Sequence, residues 1–193
     1  MNYGSNPAKN QSIIHHSLFI IQHQSMSNKF IIHTDGGSRG NPGPAAIGVV
    51  IEGDSIGKPG SESSGGGKAT SGKAGTYTTW KKEYGEPIGV TTNNDAEYQA
   101  VIFALKKLKQ LIGNDKAEKA HVTFYMDSEL LVKQFNHEYK VKEEKIQKLF
   151  LEVHNLRLDF GKVEFKHVLR GKNTEADRLA NQILDKESDK LNL

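Results

Sequence analysis

Four acidic residues stand out for the places they occupy along the chain: Asp35, Glu97, Asp127 and Asp177. Asp35 closes the apolar run Phe30–Thr34 and Asp127 closes His121–Met126, while Glu97 and Asp177 lie near the starts of segments with helical period. Taken singly, each has an ordinary structural explanation. Asn94 and Glu97 have capping-box spacing, Asp127 can cap the helix after its strand, Asp177 complements a helix dipole, and Asp35 can brace the glycine-rich turn behind it. Taken together, all four fall at strand ends or helix starts, the positions where open α/β sheets bind ligands.

Carboxylates that converge with too few basic partners repel one another, and divalent cations relieve the conflict. Oxygen donors without Cys or His suit Mg²⁺ or Mn²⁺ and argue against zinc. Two such ions about 4 Å apart clamp a phosphodiester, one activating a water and the other stabilising the departing oxygen. Phosphodiester hydrolysis is the reaction these residues imply.

The elements that must position them follow from periodicity. Phe30–Thr34 reads as a buried strand and Ala45–Glu52 as a second, joined by a turn with Gly36, Gly37, Gly40, Pro42 and Gly43, whose backbone can approach a ligand closely. Tyr77–Tyr84 reads as a third strand, with Gly89–Thr92 leading out of it. A helix is predicted over Asn93–Gln110, with Ala96, Ala100, Val101, Ala104, Leu105 and Leu108 as its apolar stripe. Then come a strand at His121–Met126, a helix at Ser128–Phe135, a helix over Glu143–Phe160, a strand at Val163–Leu169 and a closing helix from Glu175 to about Lys186. An antiparallel meander followed by parallel β/α units gives an α/β class: a five-stranded mixed sheet with helices on both faces.

At 193 residues the chain suits one domain, expected over residues 29–188. Residues 1–28, rich in Asn, Gln, Ser and His, read as a disordered or loosely attached leader, and Met26 is a possible initiator. Residues 53–76 are dominated by Gly and Ser and are expected to form a flexible insertion between the second and third strands. The formal charge of +3 permits nucleic-acid binding without demanding it. The absence of cysteine excludes disulfides and thiolate zinc sites and allows a reducing compartment, so the cytoplasm is the expected location. No apolar run approaches the roughly 20 residues of a membrane span.

The segments TDGGSRGNPGPA, NNDAEYQA, FYMDSELLVKQF and RGKNTEADRLAN each surround one of the four acids. In this order they resemble the motifs of type 1 ribonuclease H, from about Lys29 to the last helix. The resemblance implies the ribonuclease H-like fold, two Mg²⁺ or Mn²⁺ ions, and cleavage of the RNA strand of an RNA/DNA hybrid to 3′-hydroxyl and 5′-phosphate ends. It implies that Asp35 bridges both ions, that Glu97 and Asp127 serve chiefly the ion carrying the attacking water, and that Asp177 serves the other.

By the same resemblance Gly36, Gly37, Ser38 and Glu97 would contact RNA 2′-hydroxyls, Asn93 and Asn94 would enter the minor groove, and Asn41 and Thr92 would hold a phosphate of the DNA strand. Two departures are visible. The loop before Asp177 has no histidine, and Arg170 takes a comparable place. His33 and His167 read as structural, the latter packed within its strand. The basic handle of some relatives is also missing, with only Lys133, Lys140, Lys142 and Lys145 scattered along that stretch as a solvated face. Two alternatives stay open: a nuclease of this fold acting on double-stranded RNA or DNA junctions, and a catalytically silent hybrid-binding module. A monomer is expected.

Overall fold

The computed structural model describes residues 28–56, 69–71 and 76–191. The leader up to residue 27 and residues 57–68 and 72–75 of the insertion lie outside the described residues. Strand β1 (Lys29–Ser38) alternates in burial: Phe30, Ile32, Thr34 and Gly36 turn to one face and are buried, while Ile31, His33, Asp35 and Gly37 turn to the other. It pairs antiparallel with β2 (Gly43–Ile56), placing Asp35 opposite Gly48. A three-residue strand β3 (Ala69–Ser71) pairs with the start of β4 (Thr76–Thr91), which runs antiparallel to β2. On the other side of β1, β5 (His121–Met126) and then β6 (Lys162–His167) are parallel, giving the order β3-β4-β2-β1-β5-β6.

The expected five strands are present as β1, β2, β4, β5 and β6, and the short β3 is an addition. Part of the predicted insertion is also strand, because Gly53–Ile56 continue β2 and pair with Tyr77–Trp80. The third strand does not stop at Tyr84. Its register to β2 shifts between Ala45 and Ala46, and this bulge absorbs one residue so that pairing continues to Thr91 through Pro87 and Gly89.

Helix α1 (Asn93–Ile112) buries Ala96, Ala100, Val101, Ala104, Leu105 and Leu108, the predicted stripe, and adds Tyr98 and Ile102. A single turn, α2 (Asn114–Ala117), leads into β5. Helix α3 (Glu129–Phe135) follows β5, and α4 (Glu144–Arg157) packs against α1. Helix α4 ends three residues before the predicted Phe160, where Leu158, Asp159 and Phe160 donate to carbonyls three residues back. Helix α5 (Thr174–Leu191) lies on the opposite face of the sheet. The alternation in β1 shows this: Gly36 abuts Ala96 and Glu97 of α1, whereas Gly48, opposite Asp35, abuts Ala176 and Ala180 of α5. The core between α1 and the sheet contains Phe30, Ile32, Ile51, Phe124 and Met126. Among the described residues no helix is long and apolar enough to cross a membrane.

Candidate active site

Parallel pairing of β1 and β5 puts His33 beside Tyr125, and two residues farther along each chain segment stand Asp35, still in β1, and Asp127, just past the end of β5. Glu97, one turn into α1, and Asp177, in the first turn of α5, approach the same strand ends from opposite faces of the sheet. All four line one cleft of about 280 Å³, together with Gly36, Gly37, Ser38, Asn93 and Arg170. The convergence predicted from spacing is therefore present.

The bland readings of these acids fare unevenly. Thr92 caps α1, its Oγ1 accepting from the Asp95 amide at 3.3 Å, so Asn94 and Glu97 do not form a capping box. The cap position of α3 is Ser128, one residue past Asp127. Instead Ser128 hydrogen-bonds the Glu97 carboxylate, and Asn173 Nδ2 donates to Asp127 Oδ1 at 2.9 Å. Asp177 receives Arg170 Nη2 at 2.8 Å, and the Gly36 backbone hydrogen-bonds Asp35.

The electrostatics match a site built for cations. Burial pushes the Asp35 carboxyl up to about 7, the charges of Asp127 and Asp177 add to the rise, and the Gly36 hydrogen bond and Arg170 oppose it. Burial likewise pushes Glu97 up to about 7, opposed by Ser128 and aided by Asp35 and Asp127. Glu97 Oε2 is buried without a hydrogen-bond partner, an atom whose desolvation nothing in the protein offsets. Among the described residues no three His, Asp or Glu side chains already stand as a closed ligand set. An oxygen-only donor set with one orphaned carboxylate oxygen nevertheless fits a hard divalent cation.

The predicted substrate contacts separate into a tight turn and a neighbouring hollow. Asn93 Oδ1 accepts from both the Ser38 amide (2.7 Å) and Ser38 Oγ (2.9 Å), and Asn41 Oδ1 accepts from the Asn93 amide at 3.2 Å. Asn94 does not share that cleft. It lines a second hollow of about 310 Å³ with Gln134, Lys140 and Lys142.

Of the four lysines, Lys140, Lys142 and Lys145 are exposed, as expected of a solvated face, and Lys133 is half-buried. Lys133 pairs with Glu129 and lies over the Tyr139 ring, while Lys145 is bound to buried Asp95 and donates to Thr91 Oγ1 at 3.0 Å. His167 is exposed at the end of β6, so its predicted packing is corrected. His33 is half-buried and stacked on Tyr125 at 5.3 Å.

A model of the family described as reverse transcriptase-like matches residues 33–183. Among solved structures, LC11-RNase H1 in complex with an RNA/DNA hybrid is 39% identical, covers 82% of this chain and 98% of its own, and superposes with a TM-score of 0.63. The chain belongs to the type 1 ribonuclease H family. Curated ribonuclease H relatives include ribonuclease HI of Halobacterium salinarum, 33% identical over 78% of this chain and 62% of its own length. A bifunctional protein of Mycobacterium tuberculosis is 34% identical over 81% of this chain, which spans only 36% of that protein.

Within this ribonuclease H domain, sequence reasoning missed Ser128, Asn173 and the Asp95–Lys145 pair. The first two lay inside quoted motifs, and their signal was a polar residue at a strand end and another before a helix. Asp95 is 1% exposed. Burial pushes its carboxyl up, but hydrogen bonds from Lys145, Thr91 and Gln99 outweigh that and hold it below the ordinary value. The pair thus adds stability above the unfolded value of 3.8, and the contribution is lost as pH falls through the lower folded value. Lys145→Ala should cost about 1 kcal/mol at pH 7, Lys145 being largely solvated, and much less near pH 3. Urea unfolding at both pH values measures the difference.

Proposed function

We propose that the chain is an endoribonuclease that hydrolyses the RNA strand of RNA/DNA hybrids, leaving 3′-hydroxyl and 5′-phosphate ends. The observation that carries this reading is the convergence of Asp35, Glu97, Asp127 and Asp177 on one cleft bordered by the hydrogen-bonded pair Ser38 and Asn93. These four carboxylates would hold two Mg²⁺ or Mn²⁺ ions. When bound, such ions polarise a phosphoryl oxygen and lower the pKa of the attacking water.

The surrounding side chains have their acceptors already engaged inside the protein. Asn93 spends its Oδ1 on Ser38, so its amide nitrogen is left to donate, and minor-groove base edges offer mainly acceptors. Asn41 spends its Oδ1 on the Asn93 amide, and Thr92 spends a lone pair on Asp95. Each presents a remaining donor, the requirement for holding a phosphate oxygen of the DNA strand. Gly36, Gly37 and Ser38 would bring main-chain groups to the 2′-hydroxyls, which distinguish RNA from DNA. Arg170, exposed beside Asp177, would exchange that carboxylate for phosphate as substrate arrives. Asn94, with Lys140 and Lys142, would extend the surface along the hybrid.

We further propose a monomeric domain over residues 29–188 that acts in the cytoplasm, consistent with a chain lacking cysteine. The deciding experiment is a gel assay of labelled RNA/DNA hybrid, single-stranded RNA, duplex RNA and duplex DNA with Mg²⁺, Mn²⁺ or EDTA. Metal-dependent cutting of the RNA strand, confined to the hybrid, is the expected result. Preferred cutting of duplex RNA would assign another substrate to the same cleft, and hybrid binding without cutting under either metal would make the chain a silent binding module.

A further inference from the structure

Five polar side chains are buried among the described residues, and Asn173, 1% exposed, is the one whose amide reaches a cleft carboxylate. Its Nδ2 donates to the Thr34 carbonyl at 2.9 Å and to Asp127 Oδ1 at 2.9 Å, and its Oδ1 meets His33 Nδ1 at 3.3 Å. Thr34 O and the Asp127 carboxylate can only accept. Both amide hydrogens are therefore committed, and a flipped amide would set its oxygen against two acceptors. His33 must then present Nδ1–H, and its stack on Tyr125 holds the ring in place to do so.

The main chain of Asn173 is equally engaged. Its amide donates to Arg170 O at 3.0 Å, and its carbonyl accepts from the Asp177 amide at 3.1 Å, opening α5. One buried residue thus ties the peptide preceding Asp35, the carboxylate of Asp127 and the helical turn carrying Asp177.

We infer that Asn173, held in one amide orientation by His33, is a positioning residue that fixes the Asp127 carboxylate and the start of α5 relative to β1. The inference rests on the proposed hydrolytic reading of the cleft. Asn173 is buried and does not itself line the cleft, so its loss acts on the chemical step and on cation affinity, with little effect on hybrid binding.

The test compares Asn173→Asp, Asn173→Ala and His33→Phe with the wild-type chain. It measures kcat and KM on hybrid with Mg²⁺, and calorimetric titration of Mn²⁺ into metal-free protein. Asn173→Asp keeps the size of the side chain but faces the Thr34 carbonyl and Asp127 with oxygen. It should lower kcat about 100-fold and weaken Mn²⁺ binding about tenfold, with KM within about twofold. His33→Phe keeps the stack on Tyr125 and frees the amide, for a loss in kcat of about tenfold.

Asn173→Ala with kcat and Mn²⁺ affinity within about twofold of wild type overturns the inference. Should both Asn173 variants fail to fold by circular dichroism, His33→Phe decides, and unchanged kcat and Mn²⁺ affinity in it overturn the inference. A wild-type chain that cuts no hybrid would sink the hydrolytic reading, and the calorimetric arm would then decide the positioning role alone.

Discussion

Asp35→Asn should lower hybrid cleavage by about a thousandfold or more, the loss expected when several kcal/mol of charge stabilisation leaves the transition state. The same substitution should make the metal-free protein more stable at pH 8. Both effects have one cause. Burial and the charges of Asp127 and Asp177 hold the folded Asp35 carboxyl near 7, against an ordinary 3.8. Between about pH 4 and pH 7 the folded protein keeps a proton that the unfolded chain has released, so stability falls as pH rises through that window. Above it, the folded state bears the whole cost of a buried charge among like charges.

Asparagine has the same shape and no charge, so the cost disappears, a gain of roughly 1–3 kcal/mol at pH 8 that vanishes near pH 3. Urea unfolding in EDTA at both pH values measures the stability, and single-turnover cleavage measures the rate. Near wild-type cleavage would remove Asp35 from the chemistry. Equal stability of the two proteins at pH 8 would mean that burial and repulsion do not strain the native carboxyl. With Mg²⁺ in excess the ordering should reverse, because the wild-type carboxylate gains a cation that the amide binds weakly.

How much of this was legible in the sequence depends on the range of the interaction. The stripe of α1 and the apolar run of β5 were readable because burial of one face imposes a period on the chain. That Asp35 and Asp127 would be neighbours followed from the same runs and the parallel pairing of β1 and β5, although β1 continues past the expected Thr34 to Ser38, so Asp35 stands inside the strand and not at its end. Partners distant in sequence were not readable. Nothing local marks Asn173 as meeting Thr34 and Asp127, or Asp95 as meeting Lys145, since each bond depends on how two separately formed elements dock. The end of β4 was misjudged for a related reason. Gly85, Pro87 and Gly89 look like turn chemistry, yet pairing with β2 and one bulge carry the strand through them.

The glycine turn is where the local reading most needs amending, and it yields the second large effect. The conformational freedom of Gly36 suggested close approach to a ligand. In the structure Gly36 faces α1, and a methyl group built on it would lie 2.5 Å from Ala96 O and nearer still to the Ala96 carbonyl carbon and the Glu97 amide nitrogen. These are backbone atoms of the turn that carries Glu97, so no side-chain rotation relieves the overlap. Gly36→Ala must push α1 off the sheet by roughly 1 Å, costing about 3 kcal/mol and lowering kcat about 100-fold as Glu97 leaves the cleft.

Gly37 supplies the comparison, because a methyl there meets only Leu184 Cδ1, at an ordinary 3.6 Å. Gly37→Ala should unfold within a few degrees of wild type, whereas Gly36→Ala should melt far lower. Were both glycines needed only to let a ligand approach, the two variants would melt alike and differ only in activity. Thermal unfolding of the pair without substrate therefore separates a glycine that also seats a helix from one that only lines the groove. The same logic extends to Gly48, where a methyl would overlap the Ala176 carbonyl and lie 2.8 Å from the Ala180 nitrogen of α5. Two glycines on neighbouring strands and opposite faces thus set the heights of the helices that carry Glu97 and Asp177, and bring both carboxylates within reach of the pair on β1 and β5.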